Sequence, residues 1–259
     1  MIDIGANLTH DSFDLDRDEV IQNARDAGVE AFIITGSDVS CSNKAVALAH
    51  QYEDCCYATA GIHPHHAAEF NGESQVALQR LLQDEKVVAV GETGLDYFRD
   101  FSPRPAQVFS FEQHIQMAIE NNMPMFLHQR DAHKDFGPIL KEHRDQLSQV
   151  VVHCFTDNQA ALFDYLDMDC YIGITGWICD ERRGQHLLDL VNNIPENRLL
   201  IETDAPYLLP RNLDPKPKTR RNEPKYLPHI ARFVAAQRNT DYSTLITTTT
   251  QNTKACFGL

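Results

Sequence analysis

Positive charge is what this sequence has too little of. Its 259 residues carry 37 acidic against 23 basic side chains, a formal net charge of −14. That imbalance repels polyanions at long range, so sequence-independent nucleic-acid binding across a broad basic face is not expected. A phosphate-bearing substrate then requires a local cationic site, either a metal ion or a few clustered arginines. Long apolar runs are missing too. None approaches the ~18 residues that span a bilayer, so no membrane partner is expected. The opening Met1-Ile2-Asp3-Ile4-Gly5 lacks the basic flank and apolar stretch of a signal peptide, and a cytoplasmic location is expected. The seven cysteines form no C-x-x-C pair and are odd in number, which fits reduced thiols better than a disulfide framework. Repeats, low-complexity tracts and long linkers are absent, so residues 1–259 read as one domain.

What is present is a globular composition, 42% hydrophobic and 23% charged, organised as apolar runs that alternate with helical patterns. The strand candidates are Met1–Gly5, Ala31–Gly36, Cys56–Gly61, Val87–Glu92, Pro124–His128, Gln149–Cys154, Cys170–Thr175 and Arg198–Thr203. Several are continuously apolar, as strands covered on both faces of a parallel sheet must be. Helical stripes lie between them: Ala45, Leu48, Ala49 and Tyr52; Val108, Phe111, Ile115, Ala118 and Ile119; Leu187, Leu190, Val191 and Ile194; Leu227, Ile230, Ala231 and Val234. Asn222 before Glu223-Pro224 reads as a helix cap. Strand–helix alternation implies parallel crossovers, and eight units over this length predict an α/β fold, a closed (β/α)₈ TIM barrel. An open doubly wound sheet is the competing architecture, weakened because no G-x-G-x-x-G follows the first strand.

In such a barrel the strand ends build the active face. Strand three runs into Gly61-Ile-His63-Pro-His65 and strand four into Gly91-Glu92-Thr-Gly-Leu-Asp96. Strand five ends at His128-Gln-Arg130-Asp131, strand six at His153-Cys-Phe-Thr156, and strand eight at Glu202-Thr-Asp204-Ala-Pro-Tyr207. Imidazole and carboxylate are the ligands of hydrolytic divalent-metal sites. Glu92, His128, His153 and Asp204 would hold one ion and leave a position open for water. Pro64 biases His63 towards an extended backbone; if His65 is extended as well, both imidazoles share a face, to bind metal or to donate to a phosphate oxygen. Each residue alone has an ordinary structural explanation, as a cap, a salt-bridge partner or a satisfied core histidine. Four ionisable groups ending four strands is the signal.

Weaker features surround these. Cys154, beside His153 on the strand, is expected to face the packed side and not to act as a nucleophile. Lys216 to Arg221, with Arg182, Arg183 and Arg211, is the one dense basic cluster: a solvated loop, or a cationic lip for a nucleic-acid backbone. Trp177 and Tyr207 either stack on bases or roof the barrel.

Taken as a set, the motifs at the strand ends, the closing Asn252…Phe257-Gly258 included, resemble the TatD family of metal-dependent deoxyribonucleases, a branch of the amidohydrolase-like barrels. The likeness spans essentially the whole chain. The stretches Gly173–Gly184 and Pro215–Pro224 look closest to the family's bacterial members. The resemblance implies a 3′-to-5′ exonuclease acting on single-stranded DNA and RNA with Mg²⁺, and a part in repairing oxidised DNA. It makes Glu92, His128 and His153 the metal ligands and Asp204 an additional ligand or general base. His63 and His65 match substrate-side histidines. One stretch departs from the pattern. Many relatives open with Asp-x-His-x-His, whereas Asp3-Ile-Gly5-Ala-Asn7 has neither imidazole. A two-metal clamp is therefore not expected. One ion is, and the loss of two nitrogen donors favours Mg²⁺, with Mn²⁺ and Zn²⁺ as alternatives.

The expected chemistry is metal-assisted phosphodiester hydrolysis by a monomer. Glu92, His128, His153 and Asp204 would form the metal site. Asp204 and Glu92 are the catalytic pair, with Asp204 accepting the proton, and His63, His65 and Arg130 steady the phosphate. Two readings compete with it: a metal-dependent hydrolase of a small amide or phosphoester on the same barrel, and a non-catalytic barrel that binds nucleic acid or protein.

Overall fold

Each of the eight apolar runs becomes a strand in the computed structural model, which describes all 259 residues. They are β1 (Ile2–Ala6), β2 (Ala31–Ile34), β3 (Cys56–Ala60), β4 (Val87–Asp96), β5 (Met125–Arg130), β6 (Val150–Val152), β7 (Tyr171–Ile174) and β8 (Leu199–Ile201). All pair in parallel with their sequence neighbours, in the order β1 to β8. The sheet closes on itself just past the last strand. Asp204 N–H donates to Gly5 O at 2.8 Å and Asn7 N–H donates to Ala205 O at 2.8 Å, so β1 lies beside β8. The architecture is the (β/α)₈ barrel.

The helices are α1 (Arg17–Asp26), α2 (Val39–Gln51), α3 (Gly72–Leu81), α4 (Arg104–Asn121), α5 (His133–His143), α6 (Gln159–Asp167), α7 (Gln185–Leu190), α8 (Leu227–Gln237) and α9 (Tyr242–Phe257). Side-chain alternation along the strands divides the core in two. Phe32, Ile34, Ala58, Val90, Leu127, Val152, Ile172 and Ile201 pack outward with helix residues such as Phe111, Leu162 and Ile230. Ile4, Ile33, Ala89, Phe126, Val151 and Leu200 form a separate inner cluster together with Phe257 of α9. That inner layer fills the barrel and puts a floor under its mouth. Asn252, also on α9, donates to Glu196 O and Leu199 O at 2.7 and 2.9 Å, tying the last helix to β8.

Three local expectations are corrected. The stripe from Leu187 to Ile194 is not one helix: α7 stops at Leu190, Val191–Asn193 tighten into a 3₁₀ turn, and Ile194 is extended although buried. Asn222 caps no helix; its amide donates to Thr203 O at 2.9 Å and its Oδ1 accepts from Glu223 N–H, anchoring the proline-rich loop to the end of β8. Strand β4 runs on to Asp96, four residues past Glu92, pairing Thr93 to Asp96 with Leu127 to Arg130.

Candidate active site

Five strand ends deliver their ionisable groups to one place. Glu92, within β4, is the hub. Its Oε1 accepts from His153 Nε2 at 2.7 Å and from His128 Nδ1 at 3.1 Å, and lies 3.3 Å from His63 Nε2. Asp96, four residues further along β4, accepts on Oδ2 from His65 Nε2 at 2.9 Å and from His128 Nε2 at 3.2 Å. Its other oxygen receives the Phe98 and Arg99 amides at 3.0 and 2.8 Å, which fixes the carboxylate against rotation. Glu202 completes the set: Oε2 meets His153 Nδ1 at 3.3 Å and Oε1 accepts the Cys154 amide at 2.6 Å.

His128 and His153 thus face carboxylate oxygens with both ring nitrogens, which requires both nitrogens to donate. Burial works against charge on each ring. For His153 the neighbouring Glu92 and Glu202 outweigh it, and for His128 Asp96 and Glu92 do, so both imidazoles titrate above the ordinary range. Glu92 is buried as well, yet His153, His63 and His128 hold it well below the usual carboxylate range. His63 is the opposite case. Burial, reinforced by the charges of His128 and His65 and opposed by Glu92, lowers it to about 4 and keeps it neutral, with Nδ1 accepting the His65 amide and the proton on Nε2, towards Glu92.

Asp204 stands apart from the hub. It sits at φ +55°, in the left-handed region, and accepts from Asn7 Nδ2 at 3.0 Å. Burial, together with the negative charges of Glu92 and Glu202, raises it to about 7 despite the opposing His153 and Asn7. A carboxyl poised there can exchange a proton near neutrality. The departure at the end of β1 now has a physical content. Asn7 supplies the donor that orients Asp204, and Gly5 leaves room for Glu202, whose Oε2 would collide with a Cβ at position 5.

Of the residues singled out from sequence, Glu92, His128 and His153 lie together, and Asp204 lies apart from them, bonded to Asn7. His63, Glu92 and His128 each offer a ligand atom, all within 4.8 Å of one another, so of the two roles left open for His63, metal ligand and phosphate donor, the geometry allows the first. The extended reading of His63 and His65 is wrong for His65. Pro64 opens a 3₁₀ helix, Pro64–Glu69, capped by His63 Nδ1, which accepts the His65 amide. The turn still stacks the two rings edge-on, 4.2 Å apart. Cys154 lies past the end of β6 at φ +46°; burial, then Asp204 and Glu202, push its thiol well up, so it is no nucleophile. The basic cluster is neutralised in part: Lys216, Lys218 and Arg220 have no ion pair. Arg182, Arg183 and Arg211 surround Asp180, and Arg221 pairs with Asp16 and Glu223. Sequence reasoning gave no role to Asp96, Glu202 or His114. The last is fully buried in α4, accepts the Ile62 amide at 3.0 Å and donates to Ser110 O at 2.7 Å, bracing the loop that carries His63.

A family model described as TatD related DNase matches residues 2–258. The chain belongs to the TatD family. It is a hydrolase of nucleic-acid esters, from a family that is metal-dependent. The "3′-5′ ssDNA/RNA exonuclease TatD" of Erwinia amylovora is 49% identical over 259 residues, all of both chains. That of Shigella flexneri is 47% identical, over 100% of this chain and 99% of its own. Among solved structures, the TatD homolog YJJV of Escherichia coli superposes with a TM-score of 0.92 at 27% identity, covering 100% of this chain and 98% of its own. The hydrolase TatD family protein of Entamoeba histolytica reaches a TM-score of 0.90 at 27% identity, over 99% and 97%. No helix of the TatD-family chain described here is long and apolar enough to cross a membrane.

Proposed function

We propose that this chain is a metal-dependent 3′-to-5′ exonuclease that removes 5′-mononucleotides from single-stranded DNA and RNA. The observation that carries the proposal is the convergence of three imidazoles on a single oxygen, Glu92 Oε1, at the mouth of the barrel. Three imidazole nitrogens gathered on one carboxylate oxygen can hold a cation in place of the protons they now direct at Glu92, and the mixed imidazole–carboxylate set fits Mg²⁺ or Mn²⁺, with Zn²⁺ as the softer alternative. One ion is enough for these ligands. Glu92, His128 and His153 would hold it, with His63 inside the same reach. Bound there, a divalent cation supplies Lewis-acid stabilisation of the phosphoryl oxygens.

The chain's own groups do the rest. Asp204, oriented by Asn7, takes the proton from the attacking water. His65, held by Asp96, and Arg130 meet the phosphate as negative charge builds on it. Glu202 keeps the His153 ring in orientation from behind, the role of a carboxylate that accepts a ligand's second N–H. We assign a monomer, and a reducing compartment such as the cytoplasm, in keeping with seven free cysteines of which five are buried. The test is the shortening of a 5′-labelled single strand with Mg²⁺. Asp204→Asn should lower kcat by on the order of 10²- to 10⁴-fold, and His128→Ala should abolish the product ladder. A folded His128→Ala variant with unchanged turnover overturns the proposal.

A further inference from the structure

On the rim of the site, four side chains alternate between aromatic and cationic. The Arg130 guanidinium carbon lies 4.0 Å from the centre of the Phe98 ring and 5.5 Å from that of Trp177, and Arg183 covers Trp177 at 4.1 Å. The two arginines differ in one respect. Arg183 is paired with Asp180 at 2.9 Å, whereas Arg130 has no ion pair and no side-chain hydrogen bond, only the two rings. A guanidinium held on aromatic faces keeps its N–H edges free for an anion.

The loop after β4 carries a second feature. Phe98 is 54% exposed and Phe101 66%, two of the seven large apolar side chains left in solvent anywhere on the molecule. Single exposed apolar residues need no explanation. Two on one short loop, each against an ionisable side chain of the site, do. Phe101 packs edge-on against His65, its ring centre 4.8 Å away, while Phe98 carries Arg130. Neither ring fills the core, and each offers surface to solvent.

Charge decides between the uses of such a surface. A chain of net charge −14 gains little from long-range attraction to a polyanion; Arg183, Arg211 and Arg221 are paired with Asp180, Glu181, Asp16 and Glu223, while Arg99 lies over the Phe98 ring at 5.8 Å and, like Arg130, has no ion pair. With few unpaired cations left at the rim, much of the affinity for a strand must come from contacts that are not electrostatic. Stacking of bases on aromatic rings is the large one, and it is open only to unpaired bases.

Resting on the nuclease reading above, we infer that Phe98 and Phe101 form a base-stacking subsite, with Arg130 between them and the metal cradle as the clamp on the intervening phosphate. The strand is held by its unstacked bases, and duplex ends are refused because their bases are already stacked on one another.

The experiment compares an ordinary single-stranded oligonucleotide with one whose three 3′-terminal residues are abasic, using wild type, Phe98→Ala, Phe101→Ala and the double variant, all with Mg²⁺. Each alanine should raise KM for the base-bearing strand about tenfold and lower kcat less than threefold. Phe98→Tyr should restore KM, while Phe98→Leu, of similar bulk but without a π face, should not. The abasic strand should show the raised KM already on wild type, with little further change in the variants. Unchanged KM for the double variant on the base-bearing strand overturns the subsite, as does equal KM for both strands on wild type. If wild type shortens neither strand, the nuclease reading fails by itself. The subsite is then judged by the emission of Trp177, the only tryptophan in the chain. Quenching by the base-bearing strand and not by the abasic one upholds it; equal quenching or none overturns it.

Discussion

The carboxylate of Glu202 occupies the space that Gly5 leaves free. A Cβ at position 5 would run into Glu202 Oε2, and a Cβ at Gly173 would come within 2.5 Å of Oε1, so two glycines on two strands make the slot for one buried acid. Neither oxygen can move without loss, because one accepts from His153 and the other from the Cys154 amide. Gly5→Ala should therefore displace Glu202 and release the His153 ring. The expected cost is 10- to 100-fold in kcat/KM or metal affinity, the range found when a partner of a metal-ligating histidine is lost. Steady-state kinetics with a calorimetric Mn²⁺ titration would show it. Wild-type values for both would mean that Glu202 does not position His153.

Asp96 divides its work between two kinds of partner. One oxygen caps the Phe98–Arg99 turn and the other receives His65 and His128. Asp96→Asn keeps an acceptor for the turn but places a weaker, neutral group before the imidazoles. Metal affinity should fall about 10- to 100-fold while the melting temperature changes little. A variant that melts far below wild type and binds Mn²⁺ normally would make Asp96 a structural residue only.

His114 makes stability depend on pH in a definite direction. Burial holds it at about 4 in the folded chain, against an ordinary value of 6.5. Between those values the unfolded chain takes up a proton that the native chain refuses, so stability falls as pH drops through 6.5 towards 4. At pH 4 the loss amounts to about 3 kcal/mol relative to pH 7. His114→Gln can still donate to Ser110 O and accept from Ile62 N–H, and it does not titrate. Urea unfolding at both pH values should show a smaller acid-side loss in the variant by about that amount. Parallel losses in the two proteins would remove His114 as the source.

The barrel was legible because parallel strands covered on both faces must be apolar throughout, as Val87–Val90 and Val150–Val152 are. What the pattern missed, it missed for physical reasons. The second half of β4, Gly91-Glu92-Thr93-Gly94-Leu95-Asp96, carries one apolar residue in six, too weak a signal to extend the strand, although it pairs with β5 through Asp96. Pro64 both keeps His63 extended before it and begins a 3₁₀ helix, and the capping bond from His65 N–H to His63 carries His65 into that helix instead of the extended run. Glu92, His128 and His153 could be picked out because each closes an apolar run in the sequence, although β4 and β5 continue past the first two. Asp96 and Glu202 stood in the same quoted stretches without a role, since their partners arrive from other strands: His65 and His128 for one, His153 and Cys154 for the other. Gly5 and Asn7 looked like plain losses of metal ligands until the neighbours they serve, Glu202 and Asp204, were in view.

Crystals of the wild-type chain soaked in Mn²⁺, with data collected at a wavelength where manganese scatters anomalously, address the centre of all this. One peak is expected at the barrel mouth, within ligand distance of Glu92 and His128 and of at least one of His63 and His153, and it should vanish in His128→Ala. A mouth that stays empty at saturating Mn²⁺, with Glu92 still bound to the three imidazoles, would contradict it.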